Sequence, residues 1–82
     1  MTPKPLLEDG YSFYFFSNEN NEPPHVHVSK GSGRAKWWLT PQPREKFTYG
    51  FNAAELRRIK QLIQKHHAHL LKAWHAHFGT KG

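Results

Sequence analysis

The chain has 82 residues, no cysteine, and a net charge of +6 from 12 Lys and Arg against 6 Asp and Glu. That size supports one domain with a small core, and the missing cysteines exclude disulfide staples and thiolate zinc sites. Met1 to Gly10 lacks the apolar centre of an export signal, and no run approaches the ~20 apolar residues of a membrane span, so a soluble, cytoplasmic protein is expected.

Residues 1–10 read as an N-terminal arm or short edge element, ended by the turn signal Asp9-Gly10. Tyr11 to Phe16 is an aromatic-rich strand. Alternation places Phe13 and Phe15 on one face and Tyr14 and Phe16 on the other. A polar loop from Ser17 to Glu22 ends at Pro23-Pro24, and a second strand follows from His25 to Lys30. Gly31-Ser32-Gly33 reads as a three-residue hairpin loop between Lys30 and Arg34. The third strand, Arg34 to Leu39, sends Trp37 and Trp38 to opposite faces, one into the core and one outward beside Arg34 and Lys36. After the break at Thr40 to Pro43, Lys46 to Tyr49 forms a short fourth strand.

The helix signal is the clearest in the chain. Asn52 followed by Glu55 makes a capping box ahead of a periodic run. Leu56, Ile59, Ile63, Leu70 and Trp74 form one apolar stripe, with Phe78 at its edge and Gly79 as the stop. Arg57, Arg58, Lys65 and Lys72 occupy an arc of roughly 100° opposite that stripe, a basic ridge about 40 Å long on an unbroken helix. The elements together predict an α+β fold. A small antiparallel sheet of three or four strands (11–49) packs against one long C-terminal helix (52–78), all within a single domain, 1–82.

Charge is unevenly placed along this plan. Before residue 56, Lys4, Lys30, Arg34, Lys36, Arg44 and Lys46 balance Glu8, Asp9, Glu19, Glu22, Glu45 and Glu55. After it, Arg57, Arg58, Lys60, Lys65, Lys72 and Lys81 meet no acid, and five of the seven histidines lie in the same third. A one-signed segment of this kind predicts a polyanionic or acidic partner.

His25 and His27 share one strand face about 7 Å apart. Such a pair supports three readings. As an acid–base couple it needs a cation nearby, for which Lys30, Arg34 and Lys36 are close in sequence. As a metal half-site it needs a third ligand from Asp9, Glu19, Glu22 or a helix histidine. As a structural pair it caps the open end of the sheet and holds the turn after Pro24. Among the helix histidines only His66 and His69 have ligand spacing, so neither a metal nor a cofactor is expected.

Ser17-Asn18-Glu19, Glu22-Pro23-Pro24-His25-Val26-His27-Val28, Ala35-Lys36-Trp37-Trp38-Leu39, Gly50-Phe51-Asn52 before Glu55-Leu56-Arg57, and Ala73-Trp74 together resemble the bacterial domain of unknown function family 4160. The resemblance covers roughly residues 11–78. It implies a compact α+β domain of bacterial or phage origin, in modules akin to toxin–antitoxin systems, and brings no settled activity. Members commonly carry acidic residues where this chain reads Lys65-His66-His67-Ala68-His69.

The expectation is therefore a small bacterial or phage binding module of a toxin–antitoxin or defence-like system. It contacts nucleic acid or an acidic protein partner through Arg57, Arg58, Lys65 and Lys72, with Arg34, Lys36 and an outward tryptophan adding to the surface. Membranes are not among its partners, and a homodimer or hetero-complex is compatible with the reading. The alternative is a metal-independent nuclease or phosphodiesterase with His25 and His27 as catalytic residues.

Overall fold

The structure is a computed structural model describing residues 5–16 and 22–78. Glu19 and most of the polar loop, the expected stop Gly79, and Lys81 lie outside the described residues. Among the described residues the fold is α+β, with five strands where three or four are expected and two helices in place of one. In chain order these are β1 (Leu6–Glu8), β2 (Tyr11–Tyr14), β3 (His25–Lys30), β4 (Gly33–Trp38), β5 (Arg44–Tyr49), α1 (Ala53–Lys65) and α2 (His67–Phe78).

The strands form one antiparallel meander in the order β1-β2-β3-β4-β5. The additional strand is β1, the edge element of the N-terminal arm, which pairs Leu6 with Phe13 and Glu8 with Tyr11. It is three residues long and carries too little alternation to announce itself. Asp9 and Gly10 both take positive φ in the turn behind it. The β3–β4 loop is one residue shorter than expected, because Gly33 pairs with Lys30 and only Gly31 and Ser32 remain outside the ladder. Gly31 has φ of 58° at the first loop position, where a two-residue hairpin calls for glycine.

Phe13, Val28, Ala35 and Thr48 line one row across the sheet, with Val26 and Trp37 beside them. This face meets Ile59, Leu62 and Ile63 of α1 and Leu70 and Trp74 of α2 in the core. Each fully buried aliphatic or phenyl side chain contributes about 1.5–3 kcal/mol of transfer free energy. Leu62, absent from the expected stripe, is fully buried with them.

The helix layer begins where the capping box predicts. Asn52 Oδ1 accepts from Glu55 N–H at 2.8 Å, and Glu55 Oε1 accepts from Asn52 N–H at 2.9 Å. It breaks at His66, whose φ and ψ of −108° and 20° leave the helical range. His66 N–H still bonds to Leu62 O, and Leu70 N–H to His66 O, so the ladder runs on through the bend. The break falls in a largely polar interval, since the six residues between the buried Ile63 and the buried Leu70 include none that is buried. Histidines in that interval are tied to the sheet layer. His67 Nε2 donates to Leu39 O and Thr40 O at 3.1 and 2.9 Å, and His69 Nε2 donates to Pro5 O at 2.9 Å. Neither helix is long and apolar enough to cross a membrane.

Candidate binding surfaces

Strand alternation sends His25, His27, Lys36 and Trp38 to the side of the sheet opposite the core row. His25 is nevertheless fully buried, at the start of β3. Its Nδ1–H donates to Pro23 O at 2.9 Å, and its ring packs edge-on to Trp38 and His27 and tilts against Trp74. His27 is 7% exposed, stacked on Tyr14 at 5.6 Å and edge-on to Phe16 at 4.5 Å. Both imidazoles thus serve as ring bodies inside an aromatic cluster that locks the turn after Pro24. The backbone contributes to the same lock, with Leu39 N–H bonded to Pro24 O at 2.9 Å.

Lys36 is 8% exposed, and its Nζ meets Glu22 Oε1 at 2.7 Å while lying 5.1 Å above the Trp38 ring. Burying an ammonium is costly unless it is paired, and Glu22 supplies the pair. Trp38 is accordingly half-buried, where an outward indole was expected. Trp37 is the core tryptophan, at 4% exposure. The Arg34 guanidinium turns back to Gly31 O and Gly33 O at 2.8 and 2.7 Å and closes the β3–β4 hairpin.

The cations of the helix layer divide into held and open sets. Arg58 Nε donates to Asp9 Oδ2 at 2.7 Å, and Lys65 Nζ to Glu8 Oε2 at 3.1 Å. His66 Nε2 lies 2.7 Å from the other oxygen of Glu8. The hydrogen bond from Lys65, followed by that from His66, holds the Glu8 carboxyl below its ordinary value of 4.5. Burial pushes the Tyr11 phenol, behind the Asp9-Gly10 turn, above its ordinary value of 10. Arg57, Lys60 and Lys72 are exposed and make no ion pair among the described residues.

The six basic residues expected to act together therefore do not share a surface. Arg34 and Lys36 belong to the side of the sheet opposite the core row, while Arg57, Arg58, Lys65 and Lys72 belong to the helix layer. Lys60 joins the open set, and its exposure among the charges of α1 is the signal for it. Among the described residues no three His, Asp or Glu side chains are arranged to hold a metal ion. Glu22, one of the third ligands considered for the histidine pair, is engaged by Lys36.

The side opposite the core row also carries an arrangement that alternation in the sequence does not reveal. Phe47 and Tyr49 are 47% and 66% exposed. A bulge in β5 opposite the Lys36–Trp37 step makes Lys46 the extra residue, so Arg44 faces the same way as Phe47 and Tyr49. Simple alternation would have set Arg44 on the opposite face from both.

The family model described as Domain of unknown function (DUF4160) matches residues 10–75, and the chain belongs to that family. No curated protein and no solved structure matches it.

Proposed function

We propose, from this family membership and the arrangement of charge, that the chain is a binding module whose helix layer docks on the phosphate backbone of a nucleic acid. Such a module suits the toxin–antitoxin or defence-like setting that its resemblance implies. The observation that supports the reading is the excess of positive charge on the helix layer. Five Lys and Arg side chains lie between Leu56 and Phe78 against a single helix acid, Glu55 in the first turn of α1, and Arg57, Lys60 and Lys72 are left open to solvent. Glu8 and Asp9 hold Arg58 and Lys65 in place and reduce the charge those two offer to a partner.

Phosphate contacts release counterions, so the log–log salt slope counts them. Three open cations predict a slope of about −2 to −3. The burial of His25 and His27 favours binding over cleavage, because a general acid or base must come within hydrogen-bond reach of its substrate.

The test is fluorescence anisotropy of a labelled DNA duplex at two salt concentrations, with each sample then run on a denaturing gel. Intact strands, a slope in that range, and weaker binding by the Arg57→Ala/Lys60→Ala/Lys72→Ala variant are expected. Salt-independent binding, or a triple variant that binds as the parent does, would overturn the phosphate reading. Absence of binding would turn the helix layer toward an acidic protein.

A further inference from the structure

The side of β4 and β5 opposite the core row carries a pattern independent of the basic residues of the helices. Register pairs Arg34 with Tyr49, Lys36 with Phe47 and Trp38 with Arg44. Three successive rows thus each set one cation directly across from one aromatic ring. Partners in such a row lie on strands about 4.8 Å apart, within the lateral reach of a single bound group. Tyr49 and Phe47 are largely open, Trp38 is half-buried, and Arg34 and Arg44 are exposed. Phe16 extends the aromatic surface beyond β2 at 42% exposure.

The exposed charges that β4 and β5 themselves place on this side, Arg34 and Arg44, are both positive. Glu22 is committed to Lys36, and Glu45 pairs in register with Trp37, on the core side of the strand. Clustered exposed aromatics on a small domain mark an interaction surface. A second copy of this chain is a poor occupant, because stacking two such faces would oppose Arg34 and Arg44 to their own kind. A ligand with flat apolar faces and spaced negative charge satisfies both halves of the two outer rows, while Lys36 of the middle row stays paired with Glu22. Unpaired nucleobases stack on aromatic rings while their phosphates meet the neighbouring cations.

The geometry points to a single-stranded nucleic-acid site on the open face of β4 and β5. Tyr49, Phe47 and Trp38 are the stacking surfaces, Arg44 is the main phosphate contact, and Arg34 adds the guanidinium donors that it does not direct to Gly31 O and Gly33 O. This site lies on the opposite side of the sheet from the helix layer and does not depend on the duplex reading above.

The experiment is an anisotropy titration of a fluorescein-labelled single strand of about 12 nucleotides, within the usual site size of a small single-strand-binding fold, in DNA and RNA forms, alongside a duplex of the same length. The chains compared are the parent, Phe47→Ala/Tyr49→Ala, Phe47→Leu/Tyr49→Leu and Arg57→Ala/Lys60→Ala/Lys72→Ala. Both ring-removing variants are expected to bind the single strand at least about tenfold more weakly than the parent, because two stacking platforms are lost. The leucine pair preserves apolar area on an exposed strand, and a matching thermal melt confirms that it is folded. If the leucine pair keeps the parent's affinity, the face works by apolar contact and the stacking site is refuted. Failure of the parent to bind single strands refutes it as well. So does sedimentation of the parent as a dimer that the leucine pair abolishes, since the face is then a self-interface. The helix triple variant separates the two proposals, because its loss of duplex binding leaves the single-strand result standing, and the reverse also holds.

Discussion

The two groups of histidines in this chain make opposite uses of one side chain. At the start of β3, His25 and His27 are buried and surrounded by Tyr14, Phe16, Trp38 and Trp74, so the ring body matters as much as its nitrogens. At the bend between α1 and α2, His66, His67 and His69 lie nearer the surface and act as directional donors to Glu8, to Leu39 O and Thr40 O, and to Pro5 O. The first group fills space between strands and the second ties the layers together. Histidine spacing alone is therefore a poor guide to chemistry, and the neighbours decide what an imidazole does.

Substitution should separate the two groups by magnitude. His25→Ala removes a fully buried ring and orphans Pro23 O, and is expected to cost about 2–4 kcal/mol. In a domain of this size that lowers the melting temperature by on the order of 10–20 °C, measured by circular dichroism or calorimetry. A loss below about 1 kcal/mol would show that the β3 cluster is not a packing element and would restore a functional reading of the pair.

His67→Ala should cost less, about 1–2 kcal/mol, since it frees two half-buried carbonyls at the end of the sheet without opening the core. His67→Gln, which keeps a donor, should recover part of that loss. If His67→Ala proves as damaging as His25→Ala, the contrast between ring body and donor fails. Lys36→Met sharpens the strand side of the comparison. Glu22 is 42% exposed and can rehydrate, so the change is expected to cost only about 0.5–1 kcal/mol.

The smallest effect is on pH dependence, at the bend. The Glu8 carboxyl is held low by Lys65 first and His66 second, so its contribution is present above its ordinary pKa of 4.5 and is lost as pH falls through the folded value. The melting temperature of the parent should therefore fall towards that of Glu8→Gln as pH is lowered from 6 to about 3. A constant difference between the two across that range would remove the Glu8 contact from the account. Tyr11 acts at the other end of the scale. Burial raises its pKa, so its contribution is intact below pH 10 and is lost as pH rises through the folded value.

Much of the architecture was legible from local pattern. The capping box at Asn52 and Glu55, the extent of β3, and the division of Phe13 and Phe15 from Tyr14 and Phe16 all follow from spacing within one element. The strand β1 was legible only as an arm or short edge element, because three residues hold less than two periods of alternation. The bend at His66 was hidden for a different reason. Its partners, Glu8, Pro5, Leu39 and Thr40, stand between 27 and 64 residues away in the chain.

By itself, then, the sequence determined the α+β class, the helix start, the faces of the central strands, and a C-terminal third without an acid. Each of these depends on side-chain chemistry read over a few residues. Only the tertiary structure decided which charges are open to a partner. Glu8 and Asp9 hold Arg58 and Lys65 across the layers, Glu22 holds Lys36, and the β5 bulge brings Arg44 into line with Phe47 and Tyr49. Those outcomes turn on register and long-range pairing, where a shift of one residue reverses the face on which a side chain appears.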